Sequence, residues 1–142
     1  MILLQSGANT VNVTLAEKAT LTTPVYIFLF VSDTTGEKFM CSTSYSTIED
    51  VLQSFTITVQ ASPTWTSGQV ELSGYGFYHY YVYERANLTG LVYNTIIADD
   101  ISNYVGTYFT SEVETGKMFF DGGDATINIY KDTVSSVKAY GD

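Results

Sequence analysis

Apolar and polar positions alternate along this chain in short runs separated by turn residues. In NTVNVTL (9–15), Val11, Val13 and Leu15 alternate with Asn12 and Thr14, which predicts a half-buried strand. PVYIFLFVSD (24–33) is apolar at both parities, with Val25, Ile27, Leu29 and Val31 on one face and Tyr26, Phe28 and Phe30 on the other. That pattern predicts a central strand covered on both sides. SDTTGEK (32–38) carries turn chemistry around Gly36, and EKFMCSTS (37–44) returns as its hairpin partner. SFTITVQA (54–61) again alternates, with Phe55, Ile57 and Val59 opposite Thr56 and Thr58. GQVELSG (68–74) predicts a short strand, and EVETGKMFF (112–120) another with Val113, Met118 and Phe120 as its apolar positions.

Two segments depart from this period. SYSTIEDVLQ (44–53) predicts a turn or two of helix, because Ser46 and Glu49 fit a capping box and Ile48, Val51 and Leu52 share a helical face. Residues 86–108 are the least regular: Val92, Ile96 and Ile97 suggest a strand, and DDISNYV (99–105) a helical turn. SPTWTSG (62–68) reads as a loop bearing the single tryptophan, Trp65.

Short, regularly spaced strands with little helix predict an all-β fold, an antiparallel β-sandwich of Ig-like or jelly-roll-like kind. Residues 1–120 form the expected sandwich domain. DGGD (121–124) breaks the pattern, and 121–142 is expected to be a C-terminal hairpin or arm with Ile127 and Ile129 on one face.

The most distinctive stretch is GYGFYHYYVYER (74–85). As a strand it sets Phe77, His79, Tyr81 and Tyr83 on one face and Tyr78, Tyr80, Val82 and Glu84 on the other. One such face fills a core. The other offers phenolic rings, which give large contact area at low entropic cost and are enriched at protein interfaces. With Trp65 nearby, a carbohydrate platform of Trp65, Tyr78 and Tyr80 is a further reading.

Composition narrows the functional classes. The chain has 142 residues, 45% of them hydrophobic and 15% charged, enough to build a core. Its formal charge of −9 with only six Lys plus Arg leaves no basic patch for phosphates, so no direct nucleic-acid partner is expected. An acidic exterior instead suits solubility or a basic partner protein. No run reaches the length of a membrane span and the apolar start MILL is too short for a signal peptide, so no membrane association is expected; the single cysteine, which allows no internal disulfide, suits folding in a reducing cytoplasm.

Candidate chemistry is thin. The single cysteine, Cys41, reads as a small buried hydrophobe, and the single histidine, His79, as a packed strand residue. One Cys and one His without suitably spaced carboxylates do not predict a metal site. Glu49-Asp50, Asp99-Asp100 and Asp121 with Asp124 are acidic pairs, but adjacent acids in turns are ordinarily solvated. A hydrolase would require Asp99 or Asp100 in a pocket with a raised pKa. The expectation is therefore no enzyme, no catalytic residue and no cofactor.

Four segments in order carry a resemblance: NTVNVTLAEK (9–18), PVYIFLFVSDTTGEKFMC (24–41), FTITV (55–59) with GQVELSGYGFYHYYVYE (68–84), and VETGKMFF (113–120). The series resembles small virion structural proteins of tailed phages that infect Bacteroidota, crAss-like phages included. In that group a threonine-rich first strand leads to an aromatic strand closed by a polar hairpin, and a Gly-initiated strand runs into a Tyr-rich segment ending in YE. Residues 86–112 are longer and less regular than that pattern, and the segment after Asp121 lies outside it.

The resemblance implies a β-sandwich that sits on a capsid shell or forms a head fibre or collar attachment, made in the host cytoplasm and located on the virion. It implies an auxiliary or decoration protein bound noncovalently to the major capsid protein and other virion proteins, with self-association compatible. The contacts are expected from the termini and one Tyr-bearing face: Ile2, Leu3, Leu4, Trp65, Tyr78, Tyr80, Ile127, Ile129 and Tyr130. The N-terminal strand Ile2–Leu4 is expected to pair with a neighbour's sheet edge. A carbohydrate-binding or host-adhesion module is the alternative.

Overall fold

The computed structural model describes residues 1–43, 45–47 and 52–121. Within them the strands are β1 (Ile2–Leu4), β2 (Gly7–Val13), β3 (Val25–Ser32), β4 (Lys38–Ser42), β5 (Tyr45–Thr47), β6 (Gln53–Val59), β7 (Gln69–Val70), β8 (Gly76–Arg85) and β9 (Ser111–Phe120). Five strands form one sheet in the order β1-β9-β8-β3-β4. The second sheet runs β2-β6-β5, with β7 also pairing β6. Since β2 occupies one edge of β6 along its whole length, β5 and β7 share the other edge. The molecule is an all-β sandwich, as the alternation predicts. Two pairings depart from the antiparallel expectation: β1 runs parallel to β9 and β7 parallel to β6.

The inner faces of the two sheets meet in one apolar core. Tyr26, Phe28 and Phe30 of β3 and Tyr78, Tyr80 and Val82 of β8 pack there against Phe55, Ile57 and Val59 of β6 and Val11 and Val13 of β2. Phe28 and Phe55 meet edge to face with ring centroids 5.1 Å apart. A β-bulge opposite Val82/Tyr83 shifts the β9 register, so that Val113 turns inward and is buried. Inside the core the Tyr80 ring lies over Gly116, where an added Cβ would sit 2.8 Å from Cε1 of Tyr80. Only glycine leaves room for that ring.

A second, smaller core lies on the opposite face of the five-stranded sheet. Ile27 and Leu29 of β3, Met40 of β4 and Tyr83 of β8 are covered by Ile96, Tyr104 and Phe109 from the segment between β8 and β9. Ile27, Phe28, Leu29 and Phe30 are each 0% exposed, so β3 is covered on both faces as its unbroken apolar run requires.

Two local expectations fail. Residues 44–53 are not a helix in their described part: Tyr45–Thr47 is strand β5, Leu52 lies between strands, and Gln53 opens β6. Tyr45 pairs with Phe55 and its ring packs 5.5 Å from Tyr26 and 5.4 Å from Phe55, so core contact overrides the local capping pattern. Ile48, Glu49 and Val51 lie outside the described residues. In the second case Val92, Ile96 and Ile97 do not form a strand; helix α1 (Tyr93–Ala98) takes their place. Tyr93, Ile96 and Ile97 then lie on the sheet-facing side at helical spacing, while Val92 stays 58% exposed. The turn expected in 99–105 is present as a 3-10 turn at Ile101–Asn103, where the Asp100 side chain accepts from the Ser102 amide, and the chain then kinks, with Val105 extended and Gly106 left-handed.

Two side-chain knots tie these parts together. At the crossing from β1 to β2, Asn9 accepts from the Gln5 amide at 2.9 Å and donates to the Gln5 and Ile57 carbonyls at 2.8 and 3.2 Å. Glu84, 0% exposed, accepts from the Thr20 and Leu21 amides and from the hydroxyls of Thr20 and Ser111. That carboxylate fastens the β2–β3 connection to β8 and β9. Burial works to raise its pKa, but the hydrogen bonds from Ser111, Thr20 and Leu21 outweigh it and hold the group below the usual carboxylate range.

Candidate functional site

The aromatic strand β8 serves both sheets' interests at once. Its even residues Tyr78, Tyr80 and Val82 fill the inner core, and its odd residues Phe77, His79, Tyr81 and Tyr83 line the outer face of the large sheet. Along that outer face the rings form a ladder. His79 and Tyr81 are 5.5 Å apart, Tyr81 and Tyr83 stack at 6.3 Å, and Tyr83 stacks on Phe109 at 4.8 Å. Exposure rises along the ladder from fully buried Tyr83 to Phe77, 51% exposed.

The change in exposure has a simple cause. Residues 86–110 cover one half of the outer face and leave the other half bare. On the bare half, register places Leu3, Phe119 and Phe77 in one row across β1, β9 and β8. Leu3 is 66% exposed, and the Phe77 and Phe119 rings meet at 5.0 Å. The next row is polar, with His79 opposite Lys117 and Lys117 paired to Asp33. An apolar row with a charged border has the composition of a protein contact surface.

The expected interface residues fall differently. Tyr78 and Tyr80 are buried at 1% and 6% exposure, so they are core residues and not contacts. Tyr78 donates to the Gly74 carbonyl and Tyr80 to Glu114 at 2.9 Å, which satisfies both phenols inside the fold. Ile2 and Leu4 are likewise buried, because β1 pairs with β9 of its own chain, leaving Leu3 alone of the three on the surface. Trp65 is half-buried against the second core, 5.9 Å from Tyr93. The exposed platform of Trp65, Tyr78 and Tyr80 therefore does not form. Ile127, Ile129 and Tyr130, and the C-terminal hairpin with them, lie outside the described residues. Phe77 and Phe119, which carry the exposed apolar row, are not among the expected interface residues, although parity sets Phe77 on the β8 face opposite Tyr78 and Tyr80.

A cleft of about 390 Å³ lies at the β4 edge of the large sheet, lined by Phe39, Pro63, Trp65, Glu71, Ser73 and Tyr93. The Tyr93 hydroxyl accepts from the Met40 amide at 3.3 Å and so caps part of that edge. The 3-10 turn Trp65–Ser67 ends at Gly68, in left-handed conformation and packed tightly on Thr43 and the Thr56 carbonyl, which seats the Trp65 turn against the sheets.

The reactive groups are placed for structure. Asp99 accepts from Asn103, from the Tyr108 hydroxyl and from the Asp100 amide, and these bonds hold its carboxyl below the usual range. A general acid needs the opposite shift. Burial pushes the Cys41 thiol up to about 12, which removes its nucleophilic character at neutral pH. Among the described residues no group of three or more His, Cys, Asp or Glu converges as a metal site. No described helix is long and apolar enough to cross a membrane.

The fold and this surface define the class of the protein as an all-β sandwich with a half-covered outer sheet. Compared with known proteins, the chain matches no family model, no curated protein and no solved structure.

Proposed function

We propose that this chain is a structural attachment protein, an auxiliary or decoration protein of a tailed-phage capsid held to the major capsid protein by noncovalent contacts. The observation that supports the attachment role is the bare apolar row Leu3–Phe119–Phe77 on a sheet whose other half is covered. Leaving two large apolar side chains more than half exposed leaves roughly 1–2 kcal/mol of burial each unrealised, an arrangement that makes sense when a partner completes it. The capsid role rests on the order of the four sequence segments described above. In this reading the chain does no chemistry, carries no cofactor and touches no nucleic acid.

Fractionating purified particles into heads, tails and free protein tests the reading. The chain is expected to travel with the heads, and the double variant Leu3→Ser, Phe77→Ser to stay in the free fraction. Migration of the wild type with tails, or in the free fraction alone, would replace this reading.

A further inference from the structure

The cleft at the β4 edge has a chemistry separate from that of the apolar row. The two lie towards opposite edges of the large sheet, the row towards β1 and the cleft at β4. At about 390 Å³ the cleft is large enough for a side chain or small molecule. Three of its walls are aromatic: Phe39, Trp65 and Tyr93. The Trp65 and Tyr93 rings are inclined at 50°, with centroids 5.9 Å apart. Inclined rings do not make the flat platform on which a sugar ring stacks. They make two sides of a cage, and the faces of such rings attract cations through their quadrupoles.

The charge around the cleft points the same way. Glu71 lines it, is exposed, and makes no ion pair among the described residues. Ser73, also in the lining, donates to Glu37 at 2.8 Å, and Glu37 too has no cationic partner among the described residues. Lys38, the cation next to Glu37 in sequence, is engaged elsewhere, its ammonium donating to the Asp99 carbonyl and lying over the Tyr104 ring. Two carboxylates thus border an aromatic cleft in a chain of formal charge −9, with no described cation neutralising them.

We propose that this cleft is an aromatic cage for an alkylammonium group, the side chain of a lysine presented by a partner protein. The lysine stem lies against Phe39 and Pro63, the ammonium faces Trp65 and Tyr93, and Glu71 supplies the counter-charge. The idea goes beyond the attachment role and does not depend on the capsid reading.

Trp65 is the only tryptophan, so its fluorescence reports on the cleft alone. The isolated chain is titrated at constant ionic strength with Nα-acetyl-lysine amide, with Nα-acetyl-norleucine amide, which keeps the stem and lacks the charge, and with glucose. The cage predicts a saturable change with the lysine compound and binding weaker by roughly 3- to 30-fold for the norleucine compound. Glu71→Gln is expected to weaken the lysine compound several-fold, with an unchanged far-ultraviolet circular-dichroism spectrum. Tyr93→Leu tests the ring, and its Met40 contact makes folding a concern; Tyr93→Phe, which keeps the ring, should retain binding. Equal binding of the two amides, saturable binding of glucose alone, or no saturable change with any compound would overturn the proposal. Head association plays no part in this titration, so the two readings fail separately.

Discussion

The five-stranded sheet has a core on each face, and the two are built differently. The inner core joins strands that contribute every second residue to it, interrupted in β9 by the bulge at Val113. The outer core joins sheet residues to a segment of short helical turns, where the buried residues Ile96, Tyr104 and Phe109 follow no single period. The inner core spans both sheets and ties distant parts of the chain. The outer core is local to residues 83–109 and the strands beneath, and it stops short of Phe77. One sheet face is thus complete within the molecule and the other is covered only in part.

Substitutions can break that comparison in order of size. Phe28→Ala removes a fully buried ring at the centre of the inner core and is expected to cost about 3–5 kcal/mol, measured by denaturant unfolding. The whole molecule should lose stability together. Glu84→Ala strips the acceptor from four donors beneath the β2–β3 connection, and about 2–4 kcal/mol is expected. The same residue sets an acid limit. Its folded pKa lies below its unfolded one, so its contribution is full above the ordinary carboxylate pKa of about 4.3 and fades as pH falls through that value towards the folded pKa. Glu84→Gln should lower stability at pH 7 and flatten this acid limb, which thermal melts across pH will show.

Tyr104→Phe is a smaller probe, aimed at the outer core. It removes the hydroxyl that donates to the Ile96 carbonyl at 2.6 Å and should cost about 1 kcal/mol. Amide exchange should quicken in residues 93–109 and leave β2 and β6 unchanged. If β2 and β6 quicken equally, the two cores are one cooperative unit. Smallest of all, Leu3→Ser with Phe77→Ser should change stability by less than about 1 kcal/mol, since both side chains are more than half exposed, while abolishing attachment.

Much of the fold was legible because burial leaves a period in the sequence. The two-sided apolar run of β3, the alternation of β2 and β6, and the Gly36 hairpin all read directly. Residues 44–53 misled because a capping box is a local signal, and Tyr45 obeys a contact with Phe55 and Tyr26 made across the core. Residues 92–97 misled because β-branched residues suggest strand, whereas the sheet face they cover accepts a helix. The exposed apolar row was half legible. Parity divided β8 into two faces, but which face met the second sheet depended on β6 and β2, far along the chain. Tyr78 and Tyr80 were therefore assigned outward when they point in. Nor does any sequence period reveal that residues 86–110 stop before reaching Phe77.

Hydrogen exchange on the chain bound to purified heads tests the attachment surface most directly. The account predicts slowed exchange at residues 1–4, 75–79 and 117–120 on binding, with β2 and β6 unaltered. Protection confined to residues 86–110, with none at the Leu3–Phe119–Phe77 row, would contradict it.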